Sequence, residues 1–180
     1  MKTSLTYGAA MAAASFALVL LLYVAGFHDS PEKMSAAQWV GGIGGIGIGI
    51  ACLALAMREK RARSNPENDW GYGSALGAGI LTALVGGVLG AVSGWLYFAV
   101  INPGFSDVVL QAQLAGLEAK GMSAAQIEGA EPMMKKFSSP AMMTVFQGFF
   151  GFLWSVLLSL VVAIFFRRRD TPAAVVPPSL

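Results

Sequence analysis

The sequence predicts an all-α integral membrane bundle of four transmembrane helices, with an extracytoplasmic amphipathic helical loop between helices three and four. Three observations predict it. The chain is 56% hydrophobic and only 12% charged, against about 25% charged in a soluble domain. Four long stretches contain no Asp, Glu, Lys, Arg or His. The Lys and Arg residues gather at the ends of those stretches instead of spreading over a surface.

A spanning helix needs about 20 apolar residues, because ~30 Å of hydrocarbon is covered at about 1.5 Å per residue. The first span is read at 5–27. It follows Lys2, but it is longer than the 7–15 or so apolar residues of a signal peptide. It runs into His28, Asp29, Ser30 and Pro31, so an uncleaved span is expected. The second span is read at 36–57, joined to the first by a tight antiparallel turn. A connection that is first basic, then acidic, leads to the third span at 74–101, and the fourth is read at 141–166. The four form one domain over 1–170. A Pro-rich tail, 171–180, is expected to be disordered.

The connection at about 104–138 has helical patterning of its own. Asn102, Pro103 and Gly104 stop the third span, and Ser106 or Asp107 can cap a helix that aligns Leu110, Leu114 and Leu117. Gly121 ends that helix. Ser123 with Gln126 three residues later has the capping-box pattern for a second helix aligning Ile127, Ala130, Met134 and Phe137. Pro132 is expected to kink or shorten it, at about 3 kcal/mol. The loop is read first as lying on the headgroups or covering the outer mouth of the bundle. The second reading is a docking surface built on Met133 and Met134.

Orientation follows from Lys and Arg. One side carries Lys2, the cluster Arg58, Lys60, Arg61 and Arg63, and the cluster Arg167, Arg168 and Arg169; the other carries Lys33, Lys120, Lys135 and Lys136. The dense clusters set the topology, with both termini cytoplasmic. Trp39, Trp95 and Tyr97 are then expected near the outer interface, and Tyr7, Trp70 and Tyr72 near the inner one.

Helices in lipid associate where small residues let backbones approach. Gly41, Gly45 and Gly49 form one stripe on the second span, and Gly86, Gly90 and Gly94 another on the third. This glycine-zipper pattern implies that spans two and three make the closest contact. The stripes are read as packing within one chain, or as a homodimer face, or as a path lined by bare backbone.

Chemistry is sparse. No ionisable group lies at mid-membrane, where a proton relay or coupled transporter usually needs one. Thr82, Ser93, Ser155 and Ser159 are expected to bond back to their own helices, while the amide of Gln147 either finds a partner on another helix or lies near the outer interface. His28, the sole histidine, reads as an ordinary loop residue beside Asp29, without a metal set or triad around it. Cys52 reads as a small apolar side chain. No catalytic residue, metal or cofactor is expected. A net charge of +2 gives no reason to expect nucleic acid.

One resemblance spans nearly the whole chain. It rests on Gly71-Tyr72-Gly73, on Ile101-Asn102-Pro103-Gly104-Phe105, on the run Gly121 to Glu128, and on Met134-Lys135-Lys136-Phe137 followed by Ser139-Pro140. These resemble a bacterial four-span membrane-protein family known only as domain of unknown function 4199. The chain departs from it in its Ala and Gly content and in Pro132. The resemblance implies four spans in a bacterial inner membrane and supplies no activity. The expected function is a non-catalytic accessory or scaffold acting through protein or lipid contacts, in the bilayer and with a membrane-protein partner or a second copy. The alternative is a passive channel or small-solute transporter.

Overall fold

The computed structural model describes residues 1–64 and 70–167. It is an all-α bundle with four helices long and apolar enough to cross a membrane. They are α1 (Lys2–Val24), α2 (Pro31–Ala62), α3 (Tyr72–Leu96, extended by a π turn at Tyr97–Ile101) and α6 (Pro140–Phe166). Between α3 and α6 lie α4 (Phe105–Ala119) and α5 (Ala124–Phe137). Arg168, Arg169 and the 171–180 tail lie outside the described residues.

Local signals set the ends. α1 stops at Gly26, whose φ of 73° is a left-handed conformation that suits glycine. Phe27 N–H bonds the Leu22 carbonyl and Gly26 N–H the Tyr23 carbonyl, both at 2.9 Å, which is the Schellman pattern. Lys33 Nζ donates to the Gly26 carbonyl and tightens the turn into α2. α2 starts at Pro31, where a missing N–H costs nothing. It runs through its basic end to Ala62, because a helix leaving the hydrocarbon has no reason to stop with the apolar residues.

α4 ends on the same Schellman pattern at Gly121, φ 79°. Ser123 and Gln126 form the capping box of α5. Pro132 lies inside α5, which nevertheless continues to Phe137. The N-cap of α4 is Gly104, with no side-chain cap, so neither Ser106 nor Asp107 serves as cap. The expected face of α4 is half-buried, as are Ile127, Ala130 and Met134 of α5, while Phe137 at the end of α5 is exposed. Both helices lie at the end where α2 begins and α3 ends, opposite Arg58.

The helix order corrects one expectation. α3 is the central helix; its most extensive packing is with α6, then with α1, and it meets α2 far less. A Cβ at Gly8 of α1 would lie 2.9 Å from the Thr82 carbonyl oxygen, and one at Gly86 would collide with Met11. On the opposite side, a Cβ at Gly79 would lie 2.7 Å from Ser159 Oγ, and one at Gly148 3.0 Å from Ala91 Cβ. The α2 stripe does not face the α3 stripe. Gly41 meets Leu22 of α1, Gly49 meets Leu158 of α6, and Gly45 and Gly90 have nothing within 4 Å. Spacing by four identifies a smooth face but not its partner. α3 carries small residues on two faces, and α1 and α6 take both.

At the Arg58 end, Met57, Trp70, Ala75, Ala78, Val162 and Ala163 form a buried cluster. Trp70 Nε1 donates to the Phe166 carbonyl at 3.1 Å, and Tyr72 Oη to the Leu160 carbonyl at 3.0 Å. Trp70 thereby serves one of the orphan carbonyls of the α6 terminus. Thr3 Oγ1 donates to Glu59, which also pairs with Arg63 at 2.8 Å, tying α1 to α2 at that end. Trp39 and Trp95 are exposed, as interface anchors are.

Candidate functional site

At the α4 end the bundle is not closed. α1, α2 and the C-terminal part of α3 surround a cavity of about 320 Å³. Its deep wall is Ala12, Ser15, Phe16 and Val19 of α1; Gly41, Gly42 and Gly90 leave parts of the other walls without side chains. Near the bundle end it is lined by His28, Gln38, Tyr97, Phe105 and Gln147. Most of the lining is apolar.

His28 is the centre of this end, and its position overturns the sequence expectation of an ordinary loop residue. It is 7% exposed. The turn at Gly26 folds it back over the bundle, where it packs against Phe105 (ring centroids 4.7 Å) and edge-on against Tyr97 (5.6 Å). Tyr23 and Phe98 complete the aromatic shell around Tyr97. Tyr97 is 1% exposed, so it is a core residue and not an interface anchor.

A polar chain runs through this shell. Asn102 Nδ2 donates to Tyr97 Oη at 3.1 Å, and Tyr97 Oη is hydrogen-bonded to His28 Nδ1. The buried Tyr97 hydroxyl proton needs an acceptor, and since Asn102 Nδ2 is a donor, His28 Nδ1 is the acceptor within reach among the described residues. The imidazole is then neutral, with its proton on Nε2. Burial pushes the His28 pKa below its ordinary value of 6.5, and the Asp29 carboxylate pulls weakly the other way. The π turn makes the chain possible. Asn102 N–H reaches the Tyr97 carbonyl at 2.8 Å, one residue further than in an α-helix, so the side chains of 97 and 102 sit over one another.

Two further spaces adjoin the cavity. A cleft of about 580 Å³ between α2 and α6 shares Ser15, Gly41 and Gly42 with it, and its other walls include Gly45, Phe150, Trp154 and Leu158. A groove of about 210 Å³ between α2 and α4 shares Met34 and Gln38, and adds Ser35 and Gln113.

The residues singled out from sequence are dispersed. Gly41 and Gly90 line the cavity, and Gly45 and Gly49 the cleft. Gly86 seats Met11, and Gly94 makes room for Gln147, whose Oε1 would be 2.5 Å from a Cβ there. Arg58, Lys60, Arg61, Arg63 and Arg167 lie at the far end, remote from the cavity. Thr82, Ser93 and Ser159 bond back to the carbonyls of Ala78, Leu89 and Ser155. Cys52 is half-buried in α2. Among the described residues no group of three His, Cys, Asp or Glu side chains could hold a metal. His28 and Tyr97 are the pair that sequence reasoning missed. The sequence held two separate signals, a lone histidine after the first span and an aromatic group, Tyr97, Phe98 and Phe105, around the end of the third, with nothing in it to join them.

A family model described as Protein of unknown function (DUF4199) matches residues 6–168. No curated protein and no solved structure matches the chain significantly.

Proposed function

The chain belongs to the DUF4199 family of proteins of unknown function, and we propose that it is a non-catalytic accessory protein acting through lipid contacts within a bacterial inner membrane. The observation that carries this reading is the lining of the cavity and of the two spaces that adjoin it. No Asp, Glu, Lys or Arg side chain lines the cavity, the cleft or the groove among the described residues. The cavity and the cleft are walled mainly by small and apolar residues, which suit an acyl chain, and the groove is the more polar of the three, with Ser35, Gln38 and Gln113.

A passive channel or small-solute transporter is the second reading. Selective passage draws on polar or charged groups along a pore, and coupled transport on ionisable groups in the membrane; the deep cleft offers mainly Ser15 and Ser155. We orient the bundle with both termini and the Arg58 end cytoplasmic, on the Lys and Arg distribution. The α4–α5 arm then covers the extracytoplasmic mouth. Proteoliposomes test the functional reading. The expected result is no ion or small-solute flux above protein-free vesicles, together with lipid retained on the purified protein in native mass spectrometry. Saturable solute flux would overturn it in favour of transport.

A further inference from the structure

The geometry points to the cavity and its two adjoining spaces as one binding site for a neutral, single-chain amphiphile. Its chain lies along the glycine walls, and its uncharged head sits between His28, Gln38 and Gln113. This assignment rests on the lipid-contact reading above.

The first support is the order of polarity. The deep cleft is walled by Gly45, Phe150 and Leu158, the middle cavity is apolar with a polar end, and the outer groove adds Ser35, Gln38 and Gln113. Shared residues join each space to the next, Gly41 and Gly42 below and Met34 and Gln38 above. A chain with a small polar head has this sequence of chemistry along its length. The middle cavity, at about 320 Å³, falls at the small end of the ~300–1,000 Å³ typical of ligand pockets. The cleft supplies the extra room that a long chain needs.

The second support is the polar atom at the cavity end. His28 lines the cavity. Its Nδ1 is bonded to Tyr97, while Nε2 has no hydrogen-bond partner among the described residues and is not sealed from solvent. Nε2 is therefore open to a molecule in the cavity, and an ester or hydroxyl oxygen in the head of the amphiphile takes that bond in place of water.

The third support concerns charge. A carboxylate or phosphate head would find no Lys or Arg in the lining, and burial keeps His28 neutral. Burying an uncompensated charge is far costlier than burying a hydroxyl, so the site favours an uncharged head. The fourth support is vacancy of side chains where the amphiphile's chain would run: a Cβ at Gly42 or Gly90 would meet nothing within 4 Å.

The test uses the full-length protein in nanodiscs and two photoreactive probes of equal chain length, each with a diazirine in the chain. One is a monoacylglycerol, the other a free fatty acid. The expected result is saturable labelling of peptides around Gly41 and Gly90 by the monoacylglycerol, about tenfold over the fatty acid at neutral pH. Gly90→Leu should abolish that labelling while the thermal midpoint holds. Should that variant fold poorly, Gly42→Leu asks the same question from the opposite wall. His28→Asn keeps an acceptor for Tyr97 but has no group at the Nε2 position, and should weaken labelling about fivefold to tenfold. Equal labelling by both probes, or undiminished labelling in a folded Gly90→Leu or Gly42→Leu protein, overturns the assignment. Unselective labelling without solute flux in proteoliposomes overturns this site alone; flux overturns the broader reading as well.

Discussion

His28 Nδ1 is hydrogen-bonded to the hydroxyl of Tyr97, 69 residues further along the chain. This contact pins the α1–α2 turn to the π turn that ends α3. Tyr97→Phe removes the hydroxyl and keeps the ring. It leaves a buried acceptor on His28 and a donor on Asn102 unpaired, at about 1–3 kcal/mol for the buried group. We expect a lower thermal midpoint in detergent, by several degrees. An unchanged midpoint would mean that the pair adds nothing to folding.

Stability should fall in mild acid. The His28 pKa is lowered on folding by burial, so between the folded value and 6.5 the unfolded chain binds the extra proton. Stability therefore rises with pH through this window. The contribution is complete above the unfolded value and is lost as pH falls below it. Melting curves at pH 7.5 and 5.5 should differ for the wild type. The difference should shrink in His28→Asn; an equal difference in that variant would assign the pH dependence to other groups.

The close contacts of α3 predict an asymmetric glycine scan. Gly79→Leu would drive atoms into Met57 and Ser159. Because α3 packs mainly on α6, we expect a loss of about 1–3 kcal/mol or more, as for overpacking. Gly45→Leu enters open space and should be near neutral or slightly stabilising, since glycine costs a helix about 1 kcal/mol relative to good helix formers. Equal melting temperatures for the two variants would contradict this packing.

Topology is checked with fused reporters. Eight of the twelve Lys and Arg residues fall on the side of the termini, so a reporter after Leu180 should read as cytoplasmic and one at Gly121 as extracytoplasmic. The reverse pattern would invert the bundle.

What was legible in the sequence depended on range. The four spans were legible because a long uncharged run leaves a chain in lipid few alternatives to a helix. The ends at Gly121 and Ser123 were legible because their bonds close within a few residues. Gly26 was overlooked inside the apolar run, although its left-handed φ sets the turn that buries His28. The pairing of His28 with Tyr97 was not legible, because it needs both that turn and the extra residue of the π turn. The glycine stripes on α2 and α3 misled for a related reason. A period of four repeats on any face, and the choice among neighbours was made by Met11, Ser159 and Gln147, which fill the recesses at Gly86, Gly79 and Gly94.

The central place of α3 has a consequence for biosynthesis. Its most extensive partner, α6, is synthesised after the other described helices: Phe166 follows Leu96 by 70 residues. At about 5–20 residues per second, several seconds pass between the completion of the two helices. During that interval the Gly79 and Gly87 face of α3 meets lipid or the insertion machinery, and α1 alone holds the other face. The nascent bundle therefore cannot mature hairpin by hairpin. A ribosome stalled before Pro140 should leave α1, α2 and α3 inserted yet susceptible to protease and detergent, and release of α6 should convert them together to the resistant form.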